Sequence, residues 1–297
     1  MLYLRSFTLP DEYEETDFLI SHPPELEMQC YQNNNAYPYK IFPRKQLSKI
    51  TFSPVTVFYG TNGSGKSTLL NIIAEKLRIL RVSAFNYSPC FPSYLERTGY
   101  TLADKCRSLP DHSRIITSDE VFKFLLDVRE MNEDIEERRQ ELFSEYVRTR
   151  DELYSEKGFS SLDDYEDLRR RNEAKRRSKS QYTAARLPRE LVGKSNGESA
   201  YVYFTKKIGE SALYLLDEPE NSLSAELQIE LLHFIEDSVR FYGCQFIIST
   251  HSPFLLSMKD AEIYDLDSAP VTVKRWTELK SVRTYFDFFS ENAHLFR

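Results

Sequence analysis

The run GTNGSGKST, Gly60 to Thr68, has the residue types and spacing of a phosphate cradle. Glycines let the backbone curl until successive N–H groups point at one anion, and a helix opening at that point adds its positive end. In such a loop Lys66 bridges the β- and γ-phosphates of a nucleotide and Ser67 ligates Mg²⁺. Gly60, Asn62, Gly63, Ser64, Gly65 and Thr68 supply the remaining contacts. An ordinary glycine turn is the plainer reading of the same spacing. The apolar strand VTVFY before it and the helical periodicity of Leu69, Ile72, Ile73 and Leu77 after it favour the cradle.

Three further motifs carry chemistry. LYLLD, ending at Asp217 and followed by Glu218, is an apolar run that delivers two carboxylates to its end. Asp217 suits the Mg²⁺ shell and Glu218 suits a base that takes a proton from water. FIIST, followed by His251, repeats the arrangement with an imidazole that can donate to a γ-phosphate. GKSNGES, Gly193 to Ser199, places Ser195 and Gly197 before a helix, as a second anion site. Within one subunit that site is redundant with the first, so it makes sense only toward another subunit's nucleotide. The plain alternatives are a solvated strand end for the carboxylates, a structural histidine and a helix N-cap.

These residues need elements to hold them. The spacing predicts short strands at Leu2 to Phe7, Tyr37 to Phe42 and Val55 to Tyr59, then a buried helix after the cradle. Residues 118–190 read as an inserted helical subdomain, with apolar positions Phe122, Leu125, Met131, Ile135, Leu142, Tyr146 and Leu153 near helical period. GFSS, Gly158 to Ser161, breaks it into a hairpin whose second arm carries a basic cluster from Arg169 to Lys179. That cluster is either a nucleic-acid contact or a solvated face balanced by the acidic arm from Glu130 to Glu145. After Pro188 an α/β pattern returns: a helix from about Ser199, a strand at Ala212 to Leu216, a helix at Ala225 to Phe241 and a strand at Gln245 to Ser249. A strand pair, EIYDL and VTVKRW, and a helix near Val282 to Phe289 close the sequence. Residues 1–297 are expected to form a single α/β domain, a mixed sheet core with N-terminal antiparallel strands and the helical insertion.

With 41% hydrophobic and 29% charged residues the chain is an ordinary globular sequence. A net charge of −7 argues against a uniformly basic nucleic-acid surface. No run approaches the roughly 18 apolar residues of a membrane span, and the acidic N-terminus lacks a signal peptide's apolar stretch, so a cytoplasmic protein is expected. The four cysteines are widely spaced and suggest reduced thiols rather than a zinc site or a disulfide framework.

Taken together and in this order, the four motifs resemble the ABC-type P-loop ATPases of the SMC, RecF and overcoming-lysogenization-defect group. The match covers about residues 53–80 and 191–266. The resemblance implies a head-to-tail dimer, of two copies or of this chain and a related ATPase, closing around two MgATP. Ser195 and Gly197 of one subunit would cap the phosphate held by Lys66 of the other, and Asn221 to Ser224 would form a loop against the opposite subunit. It further implies hydrolysis, and regulation of DNA processing or of an effector protein as in genome maintenance or phage defence. Two other readings share the motifs: the nucleotide-binding subunit of a membrane transporter, and an ATP sensor with little turnover. The sequence departs from the family in two respects. RVSAFNYSPCFP, Arg81 to Pro92, lacks the expected glutamine, with Asn86 or an insertion residue as substitutes, and the signature is not the transporter form LSGGQ. Tyr37, Tyr39 and Phe42 are candidates for stacking on adenine.

Overall fold

A computed structural model of the chain describes residues 1–21, 36–104, 106–152, 178, 181 and 195–296, with backbone alone at 149–152. By compactness it divides into two units, one of residues 1–122 and 196–297 and one of residues 123–195.

The first unit is built on a six-stranded sheet of β3 (Val55–Tyr59), β5 (Arg114–Thr117), β6 (Leu213–Asp217), β7 (Gln245–Ser249), β8 (Glu262–Asp265) and β9 (Thr272–Lys274), in the order β5-β6-β7-β3-β8-β9. All neighbours are parallel except β9, which returns antiparallel along β8. The central strands β3 and β7 are buried at every position, and β6 at all but its last. Continuous apolar runs are what a parallel sheet covered on both faces requires. Register matters most: Asp217 lies opposite Ser249, and Ser249 lies opposite Phe58. The three strand ends that carry the motifs therefore stop at one level, at the C-terminal edge where open α/β sheets bind ligands.

A second, antiparallel sheet has the order β2-β1-β4, with β1 at Leu4–Thr8, β2 at Lys49–Thr51 and β4 at Gly99–Leu102. Gln245, fully buried at the start of β7, ties the two sheets together. Its Oε1 accepts from the N–H groups of Tyr3 and Leu4 at 2.8 and 2.9 Å, and its Nε2 donates to the Leu4 and Ser53 carbonyls. A buried amide is tolerated because its hydrogen-bonding groups are paired.

Three expectations need correction here. Tyr37 to Phe42 is a turn, not a strand, since Pro38 and Pro43 supply no N–H for a ladder. Ahead of it lies an unforeseen helix, α1 (Glu12–Ser21), whose Glu15 and Phe18 are buried. Phe18 stacks on Tyr39 with ring centroids 4.5 Å apart, so Tyr39 is a packing residue. Phe42 is fully buried as well, and neither ring is open to an adenine. Cys90 is disulfide-bonded, against the expectation of reduced thiols, while Cys106 and Cys244 are free.

Glu15 accepts the Lys40 N–H at 2.6 Å and anchors that turn. Burial pushes its carboxyl up to about 7. A raised carboxyl takes up a proton on folding, so its contribution to stability is full below about 4.5 and is lost as pH rises through about 7. Glu15→Gln keeps an acceptor for Lys40 and never ionises. Unfolding measured by denaturant at pH 5.5 and pH 8 is expected to show the wild type losing on the order of 2 kcal/mol relative to the variant over that interval. Parallel pH profiles would refute the assignment.

In the second unit, α4 (Ser118–Glu152), which begins in the first, buries Leu125, Ile135, Leu142 and Tyr146 at helical spacing, whereas Phe122 and Met131 are exposed. The expected hairpin break at Gly158 and the basic cluster from Arg169 lie outside the described residues. Among the described residues no helix is long and apolar enough to cross a membrane.

Candidate functional site

The cradle runs from the end of β3 into α2 (Lys66–Leu77), and its backbone turns left-handed at Gly63 (φ 80°) and Gly65 (φ 99°). Those angles are open to glycine at little cost and strained for any other residue. A side chain on Gly60 is excluded too, since a Cβ there would stand 2.5 Å from Ser64 Oγ.

Lys66 is buried, and its ammonium stands among polar partners. It donates to the Gly60 carbonyl at 2.8 Å, lies 2.7 Å from His251 Nε2 and stands 3.5 Å from Glu218 Oε1. His251 Nε2 is itself 3.2 Å from Glu218 Oε1. The cation from the cradle, the carboxylate beyond β6 and the imidazole beyond β7 thus form one cluster. Asp217 lies beside it: its Oδ1 accepts from Ser67 Oγ at 3.0 Å and from the Ser249 hydroxyl.

The two adjacent carboxylates sit in different electrostatic surroundings. The hydrogen bond from His251 is the chief cause that holds Glu218 down at about 2, with Asn221 Nδ2, 3.1 Å away, and the Lys66 charge adding to it. Asp217 is shifted upward instead, because burial outweighs the bonds from Ser249 and Ser67. Glu218 is therefore a carboxylate at neutral pH, open to accepting a proton. Its backbone is left-handed at φ 48°, which costs a non-glycine residue about 1–3 kcal/mol. The Glu218 N–H is pinned by the Ser249 carbonyl at 3.0 Å and the Ser249 hydroxyl at 3.1 Å. This turn aims the carboxylate at Lys66 and His251 instead of along the strand.

Three residues escaped the sequence reading. Glu220, in the 3-10 turn Pro219–Ser222, accepts the N–H groups of His251 at 2.6 Å and Ser252 at 3.2 Å and so fixes the turn that carries the histidine. Burial raises its carboxyl. Asp267, past β8, takes both the N–H and the hydroxyl of Thr61 at 2.9 Å, clamping the outer limb of the cradle. Arg81 occupies the region where a glutamine was sought. Only a tenth exposed, it donates to Asn71 Oδ1 at 2.6 Å, one turn along α2 from Ser67, while Asn86 is exposed. Nothing in the residue types flagged Glu220 or Asp267, since both act through backbone groups that only the turn geometry brings near.

Tyr37 is half-buried and stands at the α2 face, where Thr68 and Asn71 lie within reach of its hydroxyl. Gly197 lies in the first turn of α5 (Asn196–Lys207), close against α6 (Ala225–Phe241): a Cβ at Gly197 would meet Leu227 Cδ1 at 2.9 Å. Ser195 is the residue just before α5.

Residues 55–257 match the AAA_21 family model, described as "AAA domain, putative AbiEii toxin, Type IV TA system". The chain belongs to this family. No curated protein matches the sequence. Solved structures with a similar chain path include the SMC head domain of Thermotoga maritima, 16% identical, with 92% of this chain and 98% of that chain covered at a TM-score of 0.41. The Smc head domain of Pyrococcus furiosus, with an extended coiled coil and bound to the C-terminal domain of ScpA, is 14% identical over 99% and 100% of the two chains, TM-score 0.41. A dimeric ATP-binding cassette, MJ0796, in a post-hydrolysis state with ADP and Pi, is 14% identical over 78% and 90%, TM-score 0.36.

Proposed function

We propose that this AAA_21-family chain binds and hydrolyses MgATP. The observation that carries the reading is the convergence of Lys66, Glu218 and His251 on one another, 2.7–3.5 Å apart, beside the Ser67–Asp217 pair. The cradle amides from Gly60 to Thr68 and Lys66 bind the phosphates. Mg²⁺ fits the Ser67 hydroxyl and the Asp217 carboxylate, which are hard oxygen donors already within 3.0 Å of each other. One carboxylate and a hydroxyl suit an ion that takes its other ligands from water and phosphate. When bound, the ion neutralises charge on the phosphate oxygens.

Glu218 orients the attacking water and takes its proton, while His251, held by Glu220 and facing both Lys66 and Glu218, donates toward the γ-phosphate. Ser195 and Gly197 complete the site from a second subunit, so that nucleotide closes a dimer. Opening and closing of that dimer then regulates a DNA-processing or effector partner, inside the cytoplasm. Phosphate release from MgATP by the purified chain tests the reading; release no faster than the uncatalysed background, across protein concentrations that permit dimerisation, would reject hydrolysis.

Asp267 positions the cradle without touching phosphate. Asp267→Ala removes three acceptor contacts and loosens Thr61, so KM for ATP is expected to rise about tenfold, worth about 1.4 kcal/mol, with kcat little changed. Asp267→Asn, which keeps one acceptor oxygen, is expected to recover part of the loss. A drop in kcat at constant KM would assign Asp267 a different role.

A further inference from the structure

At the end of α2 away from the cradle lies a cavity of about 400 Å³. Its walls are the C-terminal end of α2, the edge strand β4 of the small sheet and the loop that leads into β5 at the edge of the large one. Leu80 extends that edge by a parallel bridge to Arg114, and its N–H donates to the Ser113 carbonyl at 3.1 Å, so backbone pairing holds the walls. The volume falls within the roughly 300–1,000 Å³ of small-molecule sites. The 12 residues of α2 span about 18 Å at 1.5 Å each, so the cavity is separate from the cradle.

Its lining divides into two kinds of surface. Leu77, Ile79, Leu102 and Leu109 pack against the core and give an apolar floor. Leu80 and Tyr100, 52% and 46% exposed, add apolar surface that a bound body would remove from water. Against this stand Arg78 and Arg107, supplied by two different segments and both exposed. Among the described residues neither forms an ion pair. Asp111 is the one carboxylate of the lining, so two cations face one anion.

Arg78 carries a further mark. It caps α2 with a left-handed backbone, φ 52° and ψ 41°, and its N–H donates to the Glu75 carbonyl at 3.2 Å. Glycine is the ordinary residue for such a cap, and any side chain there costs stability. The cap alone gives no reason for an arginine, whereas a guanidinium held at the cavity does.

We infer that this cavity is a binding site for a small organic phosphate, a phosphomonoester with an apolar or aromatic body. The planar guanidinium fork matches phosphate oxygens in bidentate fashion. A phosphomonoester carries roughly 1.5 to 2 negative charges at neutral pH, which suits two arginines, where a carboxylate suits one. Its body lies on the apolar floor, and an aromatic one stacks on Tyr100.

Titration of the full chain with phenyl phosphate, followed by proton and phosphorus NMR of the ligand, tests this. A Kd on the order of 1 mM or tighter is expected, with inorganic phosphate, benzoate and phenol each binding at least about tenfold more weakly. Arg78→Gly and Arg107→Ala are each expected to weaken phenyl phosphate binding at least about tenfold. Arg78→Gly is also expected to melt at or above the wild-type temperature, because glycine adopts φ 52° without strain. Lys66→Ala is expected to keep the wild-type affinity for the probe, so the result stands even if ATP hydrolysis fails. Binding lost in Lys66→Ala but intact in Arg78→Gly would put the probe in the cradle and overturn the inference. So would no binding by about 10 mM, or benzoate binding equally well, which would make the cavity a carboxylate site. Arg78→Gly with unchanged affinity and a lower melting temperature would overturn it as well, leaving Arg78 a structural cap.

Discussion

Glu218→Gln is expected to bind ATP with little change in affinity while kcat falls about 10²–10³-fold, the range of a lost general base. Glutamine keeps the size of the side chain and one acceptor oxygen, enough for one of the two contacts that Asn221 makes to Oε2 at 3.1 Å and His251 to Oε1 at 3.2 Å. What it loses is the negative charge. In the wild type that charge is secured by the His251 hydrogen bond and by the Lys66 ammonium, which hold the carboxyl down at about 2, so the group is ionised throughout the neutral range. The depressed pKa also has a stability consequence: the contribution is present above about 4.5 and is lost as pH falls through about 2, so the neutral variant lacks it at pH 7. Because ATP then persists in the site, the doubly bound dimer accumulates. Single-turnover hydrolysis and light scattering with MgATP check both halves. A variant that hydrolyses at the wild-type rate removes Glu218 from the chemistry, and one that holds ATP yet stays at the monomer mass removes the nucleotide-closed dimer.

The parts legible in the sequence were those set by local pattern. Continuous apolar runs at Val55 to Tyr59, Leu213 to Leu216 and Phe246 to Ile248 announce buried parallel strands, and each is followed by its polar motif. That the three ends stop at one level follows from register, in which Asp217 faces Ser249 and Ser249 faces Phe58. No single-strand pattern encodes that pairing. The short strand β5 and the helix α1 were missed for opposite reasons. β5 offers only four residues, RIIT, whereas α1 is a weakly amphipathic acidic stretch stabilised by tertiary burial of Glu15 and Phe18 more than by its own propensity. The turn at Tyr37 to Phe42 was misread because its aromatic residues have strand propensity. Two prolines and the Glu15 carboxylate holding the Lys40 N–H override that preference.

The positioning residues were illegible for a further reason. Glu220 and Asp267 do not act through motif spacing but by accepting backbone N–H groups of loops that lie 31 and 206 residues away in sequence. A carboxylate in such a role looks like any surface acid until the fold closes around it. The electrostatic division between Asp217 and Glu218 is also a product of folding. Neighbouring residues of the same charge type acquire opposite shifts because one is buried against hydroxyls and the other turns, at φ 48°, toward a cation and an imidazole.

That cation carries the second large expectation. Lys66→Ala is expected to weaken MgATP binding about 10²–10³-fold, on the order of 3–4 kcal/mol, as truncating one member of a buried charge pair does. The ammonium is 4% exposed and joins the Gly60 carbonyl to His251 and Glu218, so it spans cradle and catalytic pair in one side chain. Alanine retains helix propensity at the start of α2, and the left-handed turns at Gly63 and Gly65 are untouched, so the loss should appear in nucleotide affinity more than in folding. Titration with a fluorescent ATP analogue and a thermal melt without nucleotide separate the two. The Tm is expected to stay within a few degrees of wild type while affinity collapses. Near-normal affinity in Lys66→Ala would mean that the backbone amides from Gly60 to Thr68 hold the phosphates unaided, and the convergence of Lys66 on Glu218 and His251 would then have to be read as a structural ion cluster.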